Sequence, residues 1–251
     1  MTTATVNLDD LWIRRYESAD PDATQLVCLP HAGGSASFFL PVARGLAGRC
    51  EVLAIQYPGR QDRLREPLLD SVDALADALF PVLRRQARGP VVLFGHSLGA
   101  TVGFELARRF EAAGTVPIAL FVSARTAPTR QRDDTIHLST NAELVARMRR
   151  LGGTDEMVLQ DKDLLRMSLP IVRNDYRAAE TYRYQAGDLL SCPVHALMGL
   201  DDPVVDEDDA RAWGEHTTGA FTLHAYSGGH FYLADHQREV LAAIAGQLPQ
   251  T

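Results

Sequence analysis

The sequence has little of several features that mark particular classes of protein. Only one of its 251 residues is a lysine, against 24 arginines, and 32 acidic residues bring the formal net charge to −7. Duplex nucleic acid is bound by clustered cations that neutralise phosphates, so this balance argues against a nucleic-acid partner. No run approaches the roughly 20 apolar residues of a membrane span, and no charged-then-apolar leader opens the chain. We therefore expect a cytoplasmic protein with no membrane partner.

Cysteine is scarce as well. The three cysteines, Cys28, Cys50 and Cys192, are odd in number and lie in or beside apolar runs. This pattern favours buried free thiols over a disulfide framework. Free thiols suit a reducing compartment, in agreement with a cytoplasmic location.

What the sequence does contain is a regular alternation of short apolar runs with helical patterns. At 46% hydrophobic content, 251 residues are enough to bury a sizeable core, and we expect a single domain over residues 1–251. Six runs have the composition of buried strands: Gln25–Leu29, Glu51–Gln56, Val91–Phe94, Ile118–Ser123, Val194–Met198 and Phe221–Ala225. The alternation predicts an α/β fold with a mostly parallel central sheet flanked by helices.

Helical stripes lie between these runs. Ser71 is placed to cap a helix, and Pro81 predicts a kink or an early end in it. The apolar positions at helical spacing fall into three sets: Val72, Leu75, Ala76, Leu79 and Leu83; Leu98, Val102, Leu106 and Phe110; and Val240, Leu241, Ile244 and Leu248.

One region, from Arg125 to about Leu190, breaks the alternation. It contains no convincing buried strand, and its clearest helical stripe is Leu169, Val172, Tyr176 and Ala179, with Arg173, Arg177 and Glu180 facing elsewhere. An insertion of this length between strands is often a cover for an active site, so we expect a lid over about residues 125–190. The alternative is an ordinary helical excursion packed on the sheet.

The stretch "VVLFGHSLGAT", residues 91–101, places Ser97 between Gly95 and Gly99 where a buried strand becomes a helix. A G-x-S-x-G sequence in this context predicts a nucleophile elbow, a sharp strained turn that exposes the serine at the edge of the sheet. The N-terminus of the helix that follows favours negative charge at the same place. Ser97 is therefore the candidate nucleophile.

A serine hydroxyl needs a base, and the base needs an orienting acid. Hydrolases with this elbow carry them in the order serine, acid, histidine. Asp201 and Asp202 follow the predicted strand that ends at Met198, and His230 follows the last predicted strand. Loops at the carboxyl ends of parallel strands meet at one edge of a sheet, so these residues can converge on Ser97.

The sequence offers two candidates each for the acid and for the base. We favour Asp202 over Asp201 as the acid because it directly precedes Pro203 in the loop, and Asp201 is the alternative. His230 is the candidate base, and His236 is its main competitor.

Acyl transfer also requires hydrogen-bond donors for an oxyanion. The backbone N–H of Leu98, directly after the candidate nucleophile, is one candidate. The second should come from the loop after the first core strand, where "CLPHAGGSASFF", residues 28–39, gives a strand, two glycines and a helical pattern. We assign this donor to the N–H of Ala32.

Five segments together resemble one family: "LPHAGGSASFF", "YPGRQDR", "FGHSLGA", "GLDDPVV" and "YSGGHFYL". They span most of the chain and are similar to the type II thioesterases of polyketide and nonribosomal peptide synthesis, members of the α/β-hydrolase superfamily. The resemblance implies an α/β-hydrolase fold with a mobile helical lid. It also implies hydrolysis of acyl groups from the phosphopantetheine arm of acyl or peptidyl carrier protein domains. We expect a monomer that needs no metal or bound cofactor, since phosphopantetheine arrives as part of the substrate.

Two other functions share parts of this pattern. A serine esterase acting on small oxygen esters would have the same triad and oxyanion hole. A non-catalytic binding protein of the same fold would not need all three triad members in order. Arg173 and Arg177 in the insertion are candidate contacts for an acidic carrier domain, and the alternative is that they solvate a helix face.

Overall fold

All six predicted strands lie in one seven-stranded sheet in the computed structural model, which describes residues 8–20, 22–86, 88–130, 132–154 and 156–249. The strands are β1 (Ile13–Arg14), β2 (Gln25–Leu29), β3 (Glu51–Ile55), β4 (Val91–His96), β5 (Ala119–Ser123), β6 (Val194–Gly199) and β7 (Phe221–Tyr226). Their order is β1-β3-β2-β4-β5-β6-β7. Only β1 pairs antiparallel, with β3, and the other neighbours are parallel. The mostly parallel sheet is confirmed.

The helices alternate with the strands. They are α1 (Leu8–Trp12), α2 (Leu40–Gly45), α3 (Val72–Gln86), α4 (Leu98–Ala112), α5 (Asn141–Leu151), α6 (Glu156–Gln160), α7 (Lys162–Thr181), α8 (Glu207–Arg211) and α9 (Gln237–Ala245), with short 3₁₀ turns between some of them. Within the described ranges, each helix is too short or too polar to cross a lipid bilayer.

The helix α3 tests two local predictions. The Ser71 hydroxyl accepts a hydrogen bond from the Ala74 N–H at 3.1 Å, which confirms the cap. An early end at Pro81 is wrong, because α3 continues to Gln86. Burial of Val82 and Leu83 in the core favours continuation of the helix despite the donor that proline lacks.

Both faces of the sheet are covered. Successive side chains of a strand point to opposite faces, and in β2 this divides the residues between two clusters: Val27 and Leu29 pack in one, Leu26 and Cys28 in the other. Helices α3 and α4 contribute to the first cluster, and α2 and α9 to the second. The three cysteines are buried and free, as predicted.

The strand β1 was not predicted. It has two residues, Ile13 and Arg14, which pair with Ile55 and Ala54 at the edge of the sheet. A run of two residues carries no period that sequence patterning can detect, so only its pairing with β3 reveals it.

Residues 125–190, the helical insertion, lie between β5 and β6 and contain α5, α6 and α7. Their only β contact in the described part is an isolated bridge from Leu190 to Thr217. The three helices share a small core of their own, made of Leu144, Met148, Leu159, Leu169 and Val172.

Glu180 of α7, which the sequence places off the apolar stripe, is buried. It is 8% exposed, and its carboxylate accepts hydrogen bonds from the N–H groups of Ile136 and His137, each at 3.0 Å. A buried carboxylate is tolerated when backbone donors satisfy it. The helical period alone does not reveal those donors, since they come from another segment.

Candidate active site

Ser97 lies at a strained turn between β4 and α4. Its backbone has φ 54° and ψ −116°, a conformation that L-residues rarely adopt, and its N–H donates to the Ser123 carbonyl at 2.8 Å. Strain of this kind persists only where surrounding structure enforces it, and it is frequent at catalytic serines on such turns. The predicted elbow geometry is therefore present.

Two glycines make this turn sterically possible. A Cβ atom on Gly95 would lie 2.1 Å from the carbonyl oxygen of Gly99, and one on Gly99 would lie 2.0 Å from the carbonyl oxygen of Leu29. Both neighbouring atoms belong to the backbone and cannot rotate away. Close passage of β2, β4 and α4 at this point thus requires glycine at both positions.

Asp202 and His230 form a buried pair at the same edge of the sheet. The Nδ1 atom of His230 lies 2.8 Å from Oδ2 of Asp202, and the side chains are 4% and 0% exposed. The second Asp202 oxygen accepts the Val204 N–H at 2.9 Å. An ionised carboxylate can only accept hydrogen bonds, so the contact with Asp202 requires the proton on Nδ1 of His230. In a neutral ring with that tautomer, Nε2 carries no proton and can accept one.

The alternatives from the sequence have other partners. Asp201 is exposed, and its carboxylate accepts the Gly228 N–H at 3.2 Å. The Nε2 atom of His236 pairs with the Ser227 hydroxyl at 2.9 Å. Of the two aspartates, only Asp202 contacts His230.

Ser97 follows β4 and His230 follows β7, at the same edge of the sheet. The ring of His96, directly before the serine, has its centroid 5.3 Å from that of His230. Among the described residues, no hydrogen bond joins the Ser97 hydroxyl to His230. Such contacts are often long without substrate and tighten when it binds, so the arrangement permits the predicted triad without displaying its last hydrogen bond.

The two predicted oxyanion donors also lie at this edge. Leu98 is the first residue of α4, where backbone N–H groups have no partner within the helix. Ala32 lies in the loop that follows β2. Within the described ranges neither N–H group donates a hydrogen bond, so neither is committed to another partner.

A cleft of about 860 Å³ adjoins this edge. One wall is the loop at residues 31–35 with Phe38 and Phe231, and the other is the helical insertion. The insertion contributes mainly apolar side chains: Met148, Leu151, Val158, Leu164, Met167, Ile171, Val172 and Tyr176. Its size and lining are typical of a site for a small apolar ligand.

Two further histidines, His31 and His96, lie near His230. Burial, with the charges of His230 and Arg60 adding to it, lowers the pKa of His31 to about 3. Burial also lowers the pKa of His96 well below its usual value, and the charges of His230 and His31 act in the same direction. Both rings are therefore neutral at physiological pH.

His96 connects the elbow to the loop of His230. Its Nδ1 atom pairs with the Ser123 hydroxyl at 2.9 Å, and that hydroxyl pairs with the phenol of Tyr232 at 2.6 Å. Tyr232 is only two residues from His230. The sequence gives a weak signal for this network, the position of His96 beside the nucleophile.

A strained serine between strand and helix, with a buried aspartate–histidine pair on the same edge of a mostly parallel sheet, defines the α/β-hydrolase class. The model of the thioesterase domain family matches residues 24–248. The chain belongs to the thioesterase family.

Individual thioesterases are similar to this chain over nearly its whole length. The chain is 47% identical to "Thioesterase PikA5" of Streptomyces venezuelae, over 99% of this chain and 89% of that protein. The type II thioesterase BorB from the borrelidin biosynthetic cluster has a solved structure with a TM-score of 0.91 and 59% identity, covering 96% of this chain and 98% of BorB. RedJ, a thioesterase of the prodiginine pathway in Streptomyces coelicolor, has a TM-score of 0.87 and 33% identity, covering 92% and 94%.

Proposed function

We propose that the protein is an editing thioesterase. It hydrolyses acyl groups from phosphopantetheine thioesters on acyl or peptidyl carrier domains in polyketide or nonribosomal peptide biosynthesis. The observation that carries the mechanism is the buried Asp202–His230 pair beside strained Ser97. The family and the pathways named for BorB and RedJ support the substrate class.

The first half of the proposed reaction forms an acyl-enzyme. The Ser97 oxygen attacks the thioester carbonyl carbon while Nε2 of His230 takes its proton. Asp202 holds the ring in the required tautomer and stabilises the imidazolium. The carbon–sulfur bond then breaks, and His230 returns the proton to the leaving pantetheine thiolate.

The second half releases the acid. His230 takes a proton from water, the resulting hydroxide attacks the acyl carbon, and the bond to Ser97 breaks as the proton passes to the serine oxygen. In both halves the N–H groups of Ala32 and Leu98 hold the oxyanion. Each such donor is worth about 10²–10³-fold in turnover.

Every proton in this scheme moves between the serine, the histidine, water and the substrate thiol. The scheme uses no metal or resident cofactor, because phosphopantetheine enters as part of the substrate. We extend the proposal to a cytoplasmic location, since three free buried thiols suit a reducing compartment. The proposal also includes a monomeric state.

The helical insertion is the proposed cover of the site. It supplies the apolar wall of the cleft, where an acyl chain attached to pantetheine would be shielded from water. The turn between α5 and α6 packs on the aromatic neighbour of the proposed base: a Cβ on Gly153 would lie 2.3 Å from the Phe231 ring. This contact brings the cover close to His230.

Arg173 and Arg177 differ as candidates for docking a carrier domain. Arg173 donates to the carbonyls of His137 and Ser139 at 2.8 and 2.6 Å and to the Asn141 side chain at 2.7 Å, so its guanidinium is occupied within the insertion. Arg177 is 58% exposed and has one surface ion pair. We propose Arg177 as the residue of the two that faces an acidic carrier.

The test is mass spectrometry of a carrier protein loaded in turn with acetyl, propionyl, malonyl and longer acyl groups. Wild-type protein should return at least one of them to the free-thiol form, and Ser97→Ala should not. Turnover that persists in Ser97→Ala would overturn the mechanism. Small oxygen esters are assayed in parallel, and turnover of these alone would favour the esterase function.

A further inference from the structure

The loop after β2, residues 30–36, is held by a carboxylate from the helical insertion. Asp175 of α7 is 1% exposed, and its Oδ2 atom accepts the Gly33 N–H at 2.7 Å. The same oxygen accepts a hydrogen bond from the guanidinium of Arg60, which is 4% exposed. Three segments far apart in the sequence therefore meet at one carboxylate oxygen, beside the proposed oxyanion donor Ala32.

Arg60 also contacts the loop directly. It belongs to the segment "YPGRQDR", to which the proposed mechanism gives no role. Besides Asp175, its guanidinium donates to the Pro58 carbonyl at 2.7 Å and to the Gly34 carbonyl at 3.4 Å. The Asp175–Arg60 pair thus makes hydrogen bonds to the loop at the Gly33 N–H and at the Gly34 carbonyl.

Stability alone is a weak reason for such a pair. Removing two charges from water offsets much of their mutual attraction, and apolar replacements of buried ion pairs are often neutral or stabilising. In the described part of the chain, the second Asp175 oxygen, Oδ1, is buried and has no hydrogen-bond partner. A buried ion pair that contributes little net stability and contacts the loop of the proposed oxyanion donor points to a role in the adjacent site.

The peptide geometry of the loop links the Asp175 contact at Gly33 to the orientation of the neighbouring Ala32. A peptide unit is planar, so fixing the Gly33 N–H also fixes the carbonyl of Ala32 and restricts the rotation that aims the Ala32 N–H. Because the Gly33 N–H already donates to Asp175, it is not available to an oxyanion, and the Ala32 N–H is left as the donor from this loop. We propose that Asp175 is a positioning residue for the oxyanion hole and that Arg60 fixes its carboxylate. This inference rests on the proposed function.

The test compares two double variants in which no buried charge is left unpaired. R60M/D175N keeps an amide oxygen that can accept the Gly33 N–H, whereas R60M/D175L removes the acceptor. The substrate is a small acyl thioester of N-acetylcysteamine, which needs no carrier docking. Folding is checked by circular dichroism and thermal melting.

We expect R60M/D175L to lose about 10²-fold in kcat, the scale of a misplaced oxyanion donor, with KM within about threefold of wild type. R60M/D175N should keep kcat within about tenfold, because the hydrogen bond to Gly33 remains. The rate at which a fluorophosphonate modifies Ser97 should follow kcat in both variants, since that reaction also develops an oxyanion. If the pair were purely a structural anchor, kcat and the rate of Ser97 modification would not differ between the two double variants.

Equal kcat in the two double variants, or a loss confined to KM, would overturn the proposal. If R60M/D175L does not fold, Asp175→Glu decides, because it keeps the charge but moves the carboxylate by one methylene. It should lower kcat at least about tenfold at unchanged KM, and an unchanged kcat would reject the positioning role. Ser97→Ala, measured alongside, distinguishes failure of the proposed function from failure of the positioning role. Activity in Ser97→Ala would overturn the proposed function itself. An inactive Ser97→Ala together with fully active Asp175 variants would overturn only the positioning role.

Discussion

Gly99 packs so closely against Leu29 that a Cβ atom on the glycine would lie 2.0 Å from the leucine carbonyl oxygen. Leu29 ends β2, and Gly99 lies in the first turn of α4. This contact brings the loop that carries Ala32 against the helix start that carries Leu98. The closeness of two backbones thus brings together the two segments that carry the proposed oxyanion donors, beside Ser97.

Substituting Gly99→Ala should therefore disturb both the fold and the site. We expect a loss of about 3 kcal/mol in unfolding free energy, the upper range for overpacking, because the obstructing atom is backbone. Urea unfolding measures it. Gly103→Ala, in the same helix, is the matched control: its Cβ would meet only side-chain atoms of Leu29 and Leu120, at 3.2 and 3.4 Å, so stability should change by less than about 1 kcal/mol. Equal losses in the two variants would contradict the steric argument.

The two neighbouring aspartates should respond differently to the loss of charge. In Asp202→Asn the amide cannot hold the same His230 tautomer, and we expect kcat to fall by about 10⁴-fold. Asp201→Asn should stay within a few-fold of wild type, because its exposed carboxylate contacts the Gly228 N–H instead. Steady-state hydrolysis of a small thioester gives both values, and a similar loss in both variants would remove the basis for choosing Asp202.

Buried neutral His96 should make the fold sensitive to acid. Its pKa is lowered well below 6.5 in the folded protein by burial, so between pH 6.5 and the lowered value the unfolded chain binds one proton more. This contribution to stability is fully present above pH 6.5 and is lost as pH falls, at about 1.4 kcal/mol per pH unit for one proton.

His96→Asn removes that titration and can keep a hydrogen bond to Ser123. Between pH 6.5 and 5, the variant should lose about 1–2 kcal/mol less unfolding free energy than wild type. Between pH 7 and 8, this substitution should leave the slope of unfolding free energy against pH unchanged. Urea unfolding at four pH values tests both statements, and parallel curves across the acid range would show that His96 does not cause the sensitivity.

Arg177 allows the docking hypothesis to be tested without damage to the insertion. Arg177→Glu should raise the KM for a carrier-bound acyl group by about fivefold, as expected for a charge at the rim of an interface, and leave the KM for a small thioester unchanged. Asp70→Ala breaks the same surface ion pair but leaves Arg177 in place, so it is the control. A rise in KM for both substrates would reject docking at this residue.

Much of the site follows from local sequence. The glycines around Ser97, the apolar run of β4 before it and the helical stripe after it together specify an elbow. The loops of Asp202 and His230 follow parallel strands, whose carboxyl ends share one edge of the sheet. Local period and chain order predict this shared edge because parallel strand direction places such loops on the same side of the sheet.

Other features depend on contacts that no local pattern encodes. The sequence predicts a helical face for Glu180 but not the backbone donors that bury it. Pro81 predicts a kink or an early end in α3, and the helix continues past it to Gln86, where core packing favours continuation. In both cases the outcome depends on packing or hydrogen bonds between segments far apart in the sequence, which local propensity does not encode.

The sequence by itself determined the alternation of strands and helices, the elbow at Ser97 and the order in which the candidate triad residues occur. Only the tertiary structure decided which aspartate meets His230 and which carboxylate from α7 meets the loop after β2. The physical reason is that a hydrophobic period depends on residues that are close together in the sequence. Hydrogen bonds between segments more than 100 residues apart, such as that from Gly33 to Asp175, form only when the chain has folded.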